Sequence, residues 1–394
     1  MSMTRAEHGA PGTTGPRGAF SYQDLPVQSG PVPPSGGLSL ILWTTTDCNL
    51  RCCYCYASGG DKPEHMGWEV AKRALDLAAV GHLRKVQFAG GEPLLNLGLI
   101  EEVVAYTRGW NVSYQIQTNG TLLDAATAQL LRRMRIAVGV SLDGVPEVND
   151  RLRPLAGGCG STAAVIAGIQ QAGSAGIRVG MTTVLSRENV DRLPDLVALA
   201  SYLGNVEGLS LDVLRPAGRA LLSGVRPPDP DHAARSVARA IDRAEEIAMM
   251  GGNVVKFREV ERMLRLLVSG GVRKHRCCFD AGQSLMVKPD GNAYPCASLS
   301  DFPEFFLGNV MDVHSGSEIL QNMARVSGLC VLTEDCQHCP ERSVCGGPCP
   351  AQVWTTPGVG QVTRSECAVR TTFINYAKSK GSYVYATRTS GVSV

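Results

Sequence analysis

The sequence contains no run of about 18 apolar residues, so no segment reads as a membrane-spanning helix. Its N-terminus lacks the basic stretch followed by an apolar core that marks export. Excess charge is missing too: 38 Lys and Arg stand against 36 Asp and Glu, a formal net charge of +2. That balance gives no electrostatic case for nucleic acid or an anionic membrane as a partner. No fixed-period internal repeat is visible, which sets aside solenoids and propellers. The location these absences predict is cytoplasmic.

What is present in quantity is cysteine, with 14 in 394 residues. A small secreted protein would pair them as disulphides. In a large chain without an export signal, thiol-ligated metal is the better reading. Hydrophobic residues make up 44% of the chain, enough for a sizeable core, and the length fits one large domain plus an appended module.

Periodicity organises the rest. Residues 1–37 are rich in Gly, Pro, Ser and Thr and read as a disordered arm. Strand patterns then fall at 38–43, 86–88, 112–117, 136–140, 178–184 and 209–214. Helical patterns lie between them, around 70–78, 99–106, 163–172 and 193–200, with one more running from an Asp124 cap to Met134. Six strands alternating with helices predict an α/β fold, a parallel sheet curved into a closed or partial barrel. The expected divisions are a barrel over 38–226, a helical connector over 227–273 with helices at 231–250 and 256–268, a Cys-, Gly- and Pro-rich module over 274–375, and a tail over 376–394.

The chemistry-bearing motifs sit at strand ends. Cys48-Asn-Leu-Arg-Cys52-Cys53-Tyr54-Cys55 follows the first strand and spaces Cys48, Cys52 and Cys55 as C-x3-C-x2-C. Three thiolates from one loop can hold three irons of a four-iron cluster and leave the fourth open to a substrate or cofactor. Zinc in a structural site closes with four ligands, and no fourth is obvious nearby. Buried free cysteines are the bland alternative. Gly90-Gly91-Glu92-Pro93 ends the second strand. Paired glycines let a backbone approach a ligand closely, and Glu92 can accept from an ammonium group; an ordinary strand-to-helix turn would look the same. Gln117-Thr118-Asn119-Gly120 and Ser141-Leu142-Asp143-Gly144 end the next two strands. Singly each reads as turn chemistry. Four such loops on the face of a parallel barrel that carries active sites read as one site.

On these residues the chain resembles the radical S-adenosylmethionine superfamily, over roughly residues 38–215. The resemblance implies that Cys48, Cys52 and Cys55 ligate a [4Fe–4S] cluster and that Tyr54 lies near the adenine of S-adenosylmethionine. It implies that Gly90, Gly91 and Glu92 hold the methionyl amine, with Thr118, Asn119, Ser141 and Asp143 near the methionine and ribose. Asp150-Arg-Leu-Arg153 resembles the family's D-x-x-R, implying that Arg153 pairs with the methionyl carboxylate; a surface salt bridge is the alternative. The implied chemistry is reductive cleavage of S-adenosylmethionine to a 5′-deoxyadenosyl radical that abstracts a substrate hydrogen, with the barrel supplying orientation and a dry site.

Further along, Cys278, Gly291-x4-Cys296, Cys336-x2-Cys339-x5-Cys345-x3-Cys349 and Cys367 resemble the seven-cysteine SPASM extension, which binds two auxiliary [4Fe–4S] clusters. The resemblance therefore implies three clusters in all. It assigns Cys336, Cys339, Cys345 and Cys367 to an outer auxiliary cluster and Cys278, Cys296 and Cys349 to an inner one. A pair of zinc knuckles is the alternative. Cys53, Cys159, Cys277 and Cys330 are left over, and the inner cluster lacks an assigned fourth ligand. Cys277 in place of Cys278, Cys330, or an open iron available to a substrate thiolate all remain open.

Members with this extension mostly modify peptides or proteins, which implies a ribosomally made peptide as substrate. The expected modification is a cross-link at an unactivated carbon. Anaerobic sulphatase maturases carry Asp after the cysteine that matches Cys296, where this chain has Ala297. Many peptide maturases begin with a leader-binding winged-helix domain, where this chain has a short arm. The implied partners are a separate leader-binding protein and an electron donor such as flavodoxin or ferredoxin. The alternatives are a small-molecule dehydrogenase or epimerase, sulphatase-type side-chain oxidation, and a non-enzymatic metal carrier. No catalytic base is assigned; Asp212, Asp280 and Tyr294 are polar candidates, each with an ordinary structural role open to it.

Overall fold

A computed structural model describes residues 37–329, 332, 334–355 and 364–389. The segment read as a disordered arm lies outside these residues apart from Gly37, and so does Cys330. Strand β1 (Leu38–Thr45) opens the fold, followed by α1 (Trp68–Ala79), β2 (Leu83–Gly90), α2 (Leu97–Tyr106), β3 (Ser113–Thr118), α3 (Ala125–Arg133) and β4 (Ile136–Ser141). Next come α4 (Pro146–Leu152), α5 (Thr162–Ser174), β5 (Val179–Leu185), α6 (Leu193–Tyr202) and β6 (Val206–Val213). The six expected strands are all present, each pairing in parallel with the next. Asp124 caps α3 as the sequence predicts, accepting from Thr127 N at 2.8 Å.

The sheet does not close. After α7 (Ala220–Ser223) and α8 (Pro230–Met249), β7 (Lys256–Phe257) joins β6 at one edge and leads directly into α9 (Arg258–Val268). At the other edge β8 (Ser284–Val287) pairs in parallel with β1, and β9 (Asn292–Tyr294) and β10 (Gly308–Asn309) continue antiparallel. The result is one ten-stranded sheet in the order β10-β9-β8-β1-β2-β3-β4-β5-β6-β7. The Cys-rich segment thus completes the edge of the barrel sheet. Its own helices are α10 (Gly316–Ser327), α11 (Glu334–Gln337), α12 (Arg342–Cys345), α13 (Pro350–Thr355) and the long α14 (Arg364–Thr389), which extends into the stretch read as a tail.

Packing follows the strand pattern. Leu38, Leu40 and Leu42 of β1 are fully buried and join Val86, Phe88, Ile116, Val138 and Val140 in one apolar core. Burying side chains of this size contributes about 1.5–3 kcal/mol each relative to exposure. Phe257 packs against Phe373 of α14 with ring centroids 5.5 Å apart, so the last helix closes over the β7 edge. Among the described residues no helix is long and apolar enough to cross a membrane.

Candidate active site

The loop after β1 carries three thiols around a cavity of about 430 Å³ at the C-terminal ends of the strands. Its wall includes Cys48, Cys52, Cys55, Tyr54, Gly90, Gly91, Thr118, Asn119, Ser141 and Arg153, so ten of the twelve residues singled out for this site face one space. Glu92 and Asp143 stand behind the wall, fully buried.

The loop's shape is fixed from several sides. Arg51 N donates to Pro154 O at 2.8 Å and Cys53 N to Leu152 O at 2.9 Å. Arg219, which the sequence reading did not single out, donates to Cys52 O at 3.1 Å, to Gly59 O and to Asp61 Oδ1 at 2.9 Å. The thiol sulphurs receive backbone donors: Leu50 N lies 3.4 Å from Cys48 Sγ and Gly59 N 3.5 Å from Cys55 Sγ. Burial pushes the Cys52 thiol up to about 12 and raises Cys48 as well.

Gly90 and Gly91 have a second reason to be glycine. A Cβ on either would collide with the chain itself, at the Thr45 and Asp47 carbonyls respectively, because the loop after β2 lies against the loop after β1. Glu92 completes that contact. Its N–H donates to Asp47 O at 2.8 Å, while its carboxylate accepts from Leu94 N at 3.2 Å, Thr118 Oγ1 at 2.6 Å and Asn119 N at 2.7 Å. Burial raises the Glu92 carboxyl against the pull of those three donors.

Tyr54, Asp143 and Arg153 form a buried triad. The Tyr54 hydroxyl donates to Asp143 Oδ2, Arg153 Nη1 donates to Tyr54 Oη at 2.7 Å, and Arg153 Nη1 lies 3.8 Å from Asp143 Oδ2. Asp143 Oδ1 accepts from Val184 N at 2.9 Å. Burial raises the Asp143 carboxyl and Arg153 opposes it. Arg153 is therefore a partner of Asp143 in the wall rather than half of a surface salt bridge. Its Nε is buried without a hydrogen-bond partner. Ser141 Oγ accepts from Gln117 Nε2 at 3.0 Å.

The same cavity is closed on its far side by the C-terminal segment. Cys296, Ala297 and Ser298 line it together with Tyr56, Asp212 and Arg215. Arg215 Nη1 donates to Ser298 Oγ at 2.9 Å and its guanidinium lies 5.8 Å from the Tyr56 ring centroid. Among the described residues Asp212 is the one carboxylate in the cavity wall. Neither Tyr56 nor Arg215 carries a motif that would have exposed it in the sequence.

Two further cavities adjoin. One of about 40 Å³ is lined by Cys336, Cys339, Cys345 and Cys367. The other, about 230 Å³, is lined by Cys277 and Cys349, by five arginines and by Asp212, Glu259 and Glu366. Cys278 is exposed, whereas Cys277 faces this space. Asp280 is taken up by Arg276, whose N and Nη2 donate to it at 2.9 and 2.6 Å.

The donor sets can be tested against the groups the sequence implies. Each of the three cavities is lined by two or more thiols, the ligand type of iron–sulphur centres. Among the described residues no three His, Cys, Asp or Glu side chains converge to hold a single metal ion. The orphaned Arg153 Nε in a thiol-lined wall leaves a cationic donor for an anionic ligand group. The residues fit a cluster with a carboxylate-bearing cofactor beside it.

The family model of the radical SAM superfamily matches residues 44–200. The chain belongs to this superfamily, whose members use a [4Fe–4S] cluster and S-adenosylmethionine. A protein of Methanocaldococcus jannaschii is 40% identical over 182 residues, 45% of this chain and 63% of that one, so the match spans less than two thirds of that relative. Mycofactocin maturase MftC of Mycolicibacterium smegmatis is 25% identical over 327 residues, 80% of this chain and 79% of the relative. The serine-type anaerobic sulfatase-maturating enzyme of Klebsiella aerogenes is 26% identical over 356 residues, 85% of each chain. Among solved structures, anSMEcpe with bound AdoMet superposes with a TM-score of 0.73 at 22% identity, covering 88% of this chain and 95% of that one. Streptococcus suis SuiB bound to precursor peptide SuiA gives 0.63 at 15% identity, covering 84% and 76%. At these identities the structural likeness speaks for the fold. The chain is a radical SAM enzyme related to peptide and sulphatase maturases.

Proposed function

We propose that this enzyme modifies a ribosomally made peptide, forming a bond at an unactivated carbon. The observation that carries the reading is the single cavity walled on one side by Cys48, Cys52 and Cys55 and on the other by Cys296 of the C-terminal cysteine set. A space of this size lies within the roughly 300–1,000 Å³ of ligand sites.

In this reading Cys48, Cys52 and Cys55 hold the first cluster. Gly90, Gly91, Thr118, Asn119 and Ser141 frame S-adenosylmethionine, Tyr54 lies beside its adenine, and Arg153 offers its free Nε to the methionyl carboxylate. Glu92 and Asp143 act from behind, fixing the Thr118–Asn119 turn and the Tyr54–Arg153 pair. Bound to such a cluster, S-adenosylmethionine supplies a carbon radical able to remove a hydrogen atom from an inert C–H bond. The chain's own contribution is placement and exclusion of water, with Arg219 and the loop contacts holding the thiols in register.

Cys336, Cys339, Cys345 and Cys367 hold an outer auxiliary cluster, and Cys296 and Cys349 an inner one, with Cys277 taking the place first given to Cys278. MftC is a maturase by name and SuiB was solved with a precursor peptide, which supports a peptide substrate here. Ala297 in the cavity wall supplies no carboxylate, which weighs against sulphatase-type oxidation. A leader-binding protein and a flavodoxin- or ferredoxin-like donor complete the proposed system. Incubating the reduced, reconstituted enzyme with short peptides encoded beside its gene should give a product lighter by two hydrogens per bond formed. Unchanged peptide masses, with S-adenosylmethionine consumed, would count against the peptide reading.

A further inference from the structure

Between the two auxiliary cavities stands an ion pair on α14. Glu366 and Arg370 line both cavities, and they pair as Arg370 Nη2 to Glu366 Oε1 at 2.7 Å. Each member reaches a different cysteine. Arg370 Nη1 donates to Gly347 O at 2.9 Å and lies 3.8 Å from Cys345 Sγ. Glu366 Oε1 accepts from Cys349 N at 3.1 Å. Cys367 lies between them on the same helix, next to Glu366 and about one turn before Arg370.

The charge around this pair is unusual for a protein interior. Among the described residues, Arg215, Arg262, Arg273, Arg276 and Arg370 line the larger cavity with Asp212, Glu259 and Glu366, and Arg276 is paired besides with Asp280. Arg273 is pushed down to about 10 by burial and by the neighbouring Arg262 and Arg370. Crowding buried cations is costly unless an anion offsets them. Thiolate-ligated clusters carry negative charge that grows on reduction, and a cation or hydrogen bond at a ligating sulphur stabilises the reduced state. Of the five arginines, Arg370 is placed to donate to a thiol sulphur, Cys345 Sγ at 3.8 Å.

On the reading that these cysteines hold auxiliary clusters, we propose that Arg370 sets the reduction potential of the outer cluster, raising it, and that Glu366 moderates that effect. Arg370 is a positioning and tuning residue, since it touches the ligating thiol and not the substrate. The two residues act with opposite sign. Removing the cation makes the outer cluster harder to reduce. Removing the carboxylate charge while keeping its hydrogen bonds makes it easier to reduce.

The test is an EPR-monitored redox titration of the full chain with Cys48, Cys52 and Cys55 replaced by Ala, so that the auxiliary centres alone titrate. Arg370→Gln should shift one centre to a more negative potential, Glu366→Gln should shift it to a more positive one, and Arg370→Lys should fall between wild type and Arg370→Gln. Iron content should match the parent in all three. Potentials unmoved, or moved the same way by both Gln variants, overturn the proposal. Loss of iron from Arg370→Lys and Arg370→Gln alike overturns it also, because it marks Arg370 as a brace for the cluster loop. A Cys48→Ala, Cys52→Ala, Cys55→Ala parent that binds no iron at all refutes the auxiliary-cluster reading itself, and this proposal with it.

Discussion

At the scale of single residues, the site depends on buried charges that answer one another. Arg153 is the cationic partner of a fully buried Asp143. Arg153→Ala should therefore cost about 3–5 kcal/mol, the usual effect of stripping the partner from a buried pair. Calorimetry would register it as a lower Tm alongside weakened S-adenosylmethionine binding; an unchanged Tm would contradict the burial argument. Glu259 behaves differently. Burial raises its carboxyl to about 7, and one of its oxygens is buried without a partner. Between about pH 4.5 and 7 the native state then binds more protons than the unfolded chain, so stability falls as pH rises through that window. Glu259→Gln should remove that slope, worth about 3 kcal/mol across the window by the linkage of pKa to free energy, in denaturation curves compared at pH 5 and pH 8. At this scale the sequence displayed the motif residues well, because thiols at fixed spacing and strand-end glycines are local signals. It hid Tyr56, Arg215, Arg219 and Arg370, which matter through contacts with residues far along the chain and sit in no recognisable spacing.

At the scale of elements, the loop after β1 is the part most open to disruption. It is clasped by Arg219 from the turn before α7 and by the glycine-lined loop after β2. Arg219→Ala should lower the iron bound by the 48–55 loop while leaving the C-terminal centres filled, as iron analysis with Mössbauer spectroscopy would separate. Gly91→Ala should fail more severely, because the added carbon meets the Asp47 carbonyl rather than a flexible side chain. The six barrel strands, of six to eight residues each, were legible because short strand patterns alternated with helical periods, although β2 showed only its 86–88 stretch. Helix α4, of 7 residues, escaped notice because two turns show no clear period. Strand β8 escaped because a four-residue Ser-Leu-Met-Val run carries no signal of its own; its partner β1 lies about 240 residues earlier.

At the scale of the whole molecule, the C-terminal module is less separable than its composition suggests. β8 covers the open edge of β1, α14 packs on α8 and α9, and Cys296 enters the barrel cavity. A chain cut after residue 273 would bare the β1 edge, whose residues alternate into the core, and exposed apolar edges recruit further strands. Such a truncation should aggregate, which sedimentation of the purified fragment would reveal; a soluble monomer would show the two parts fold independently. The joint cavity is also what sequence could not display, since spacing within each cysteine set says nothing about the distance between sets. The proposed function depends on the thiols of the 48–55 loop enabling reductive cleavage of S-adenosylmethionine. The most direct test is to measure 5′-deoxyadenosine released by the anaerobically reconstituted, dithionite-reduced enzyme, beside a variant with Cys48, Cys52 and Cys55 all replaced by Ala. Release by the wild type and none by the variant is the predicted result; equal release by both, or none by a wild type whose 48–55 loop carries its cluster, would contradict it.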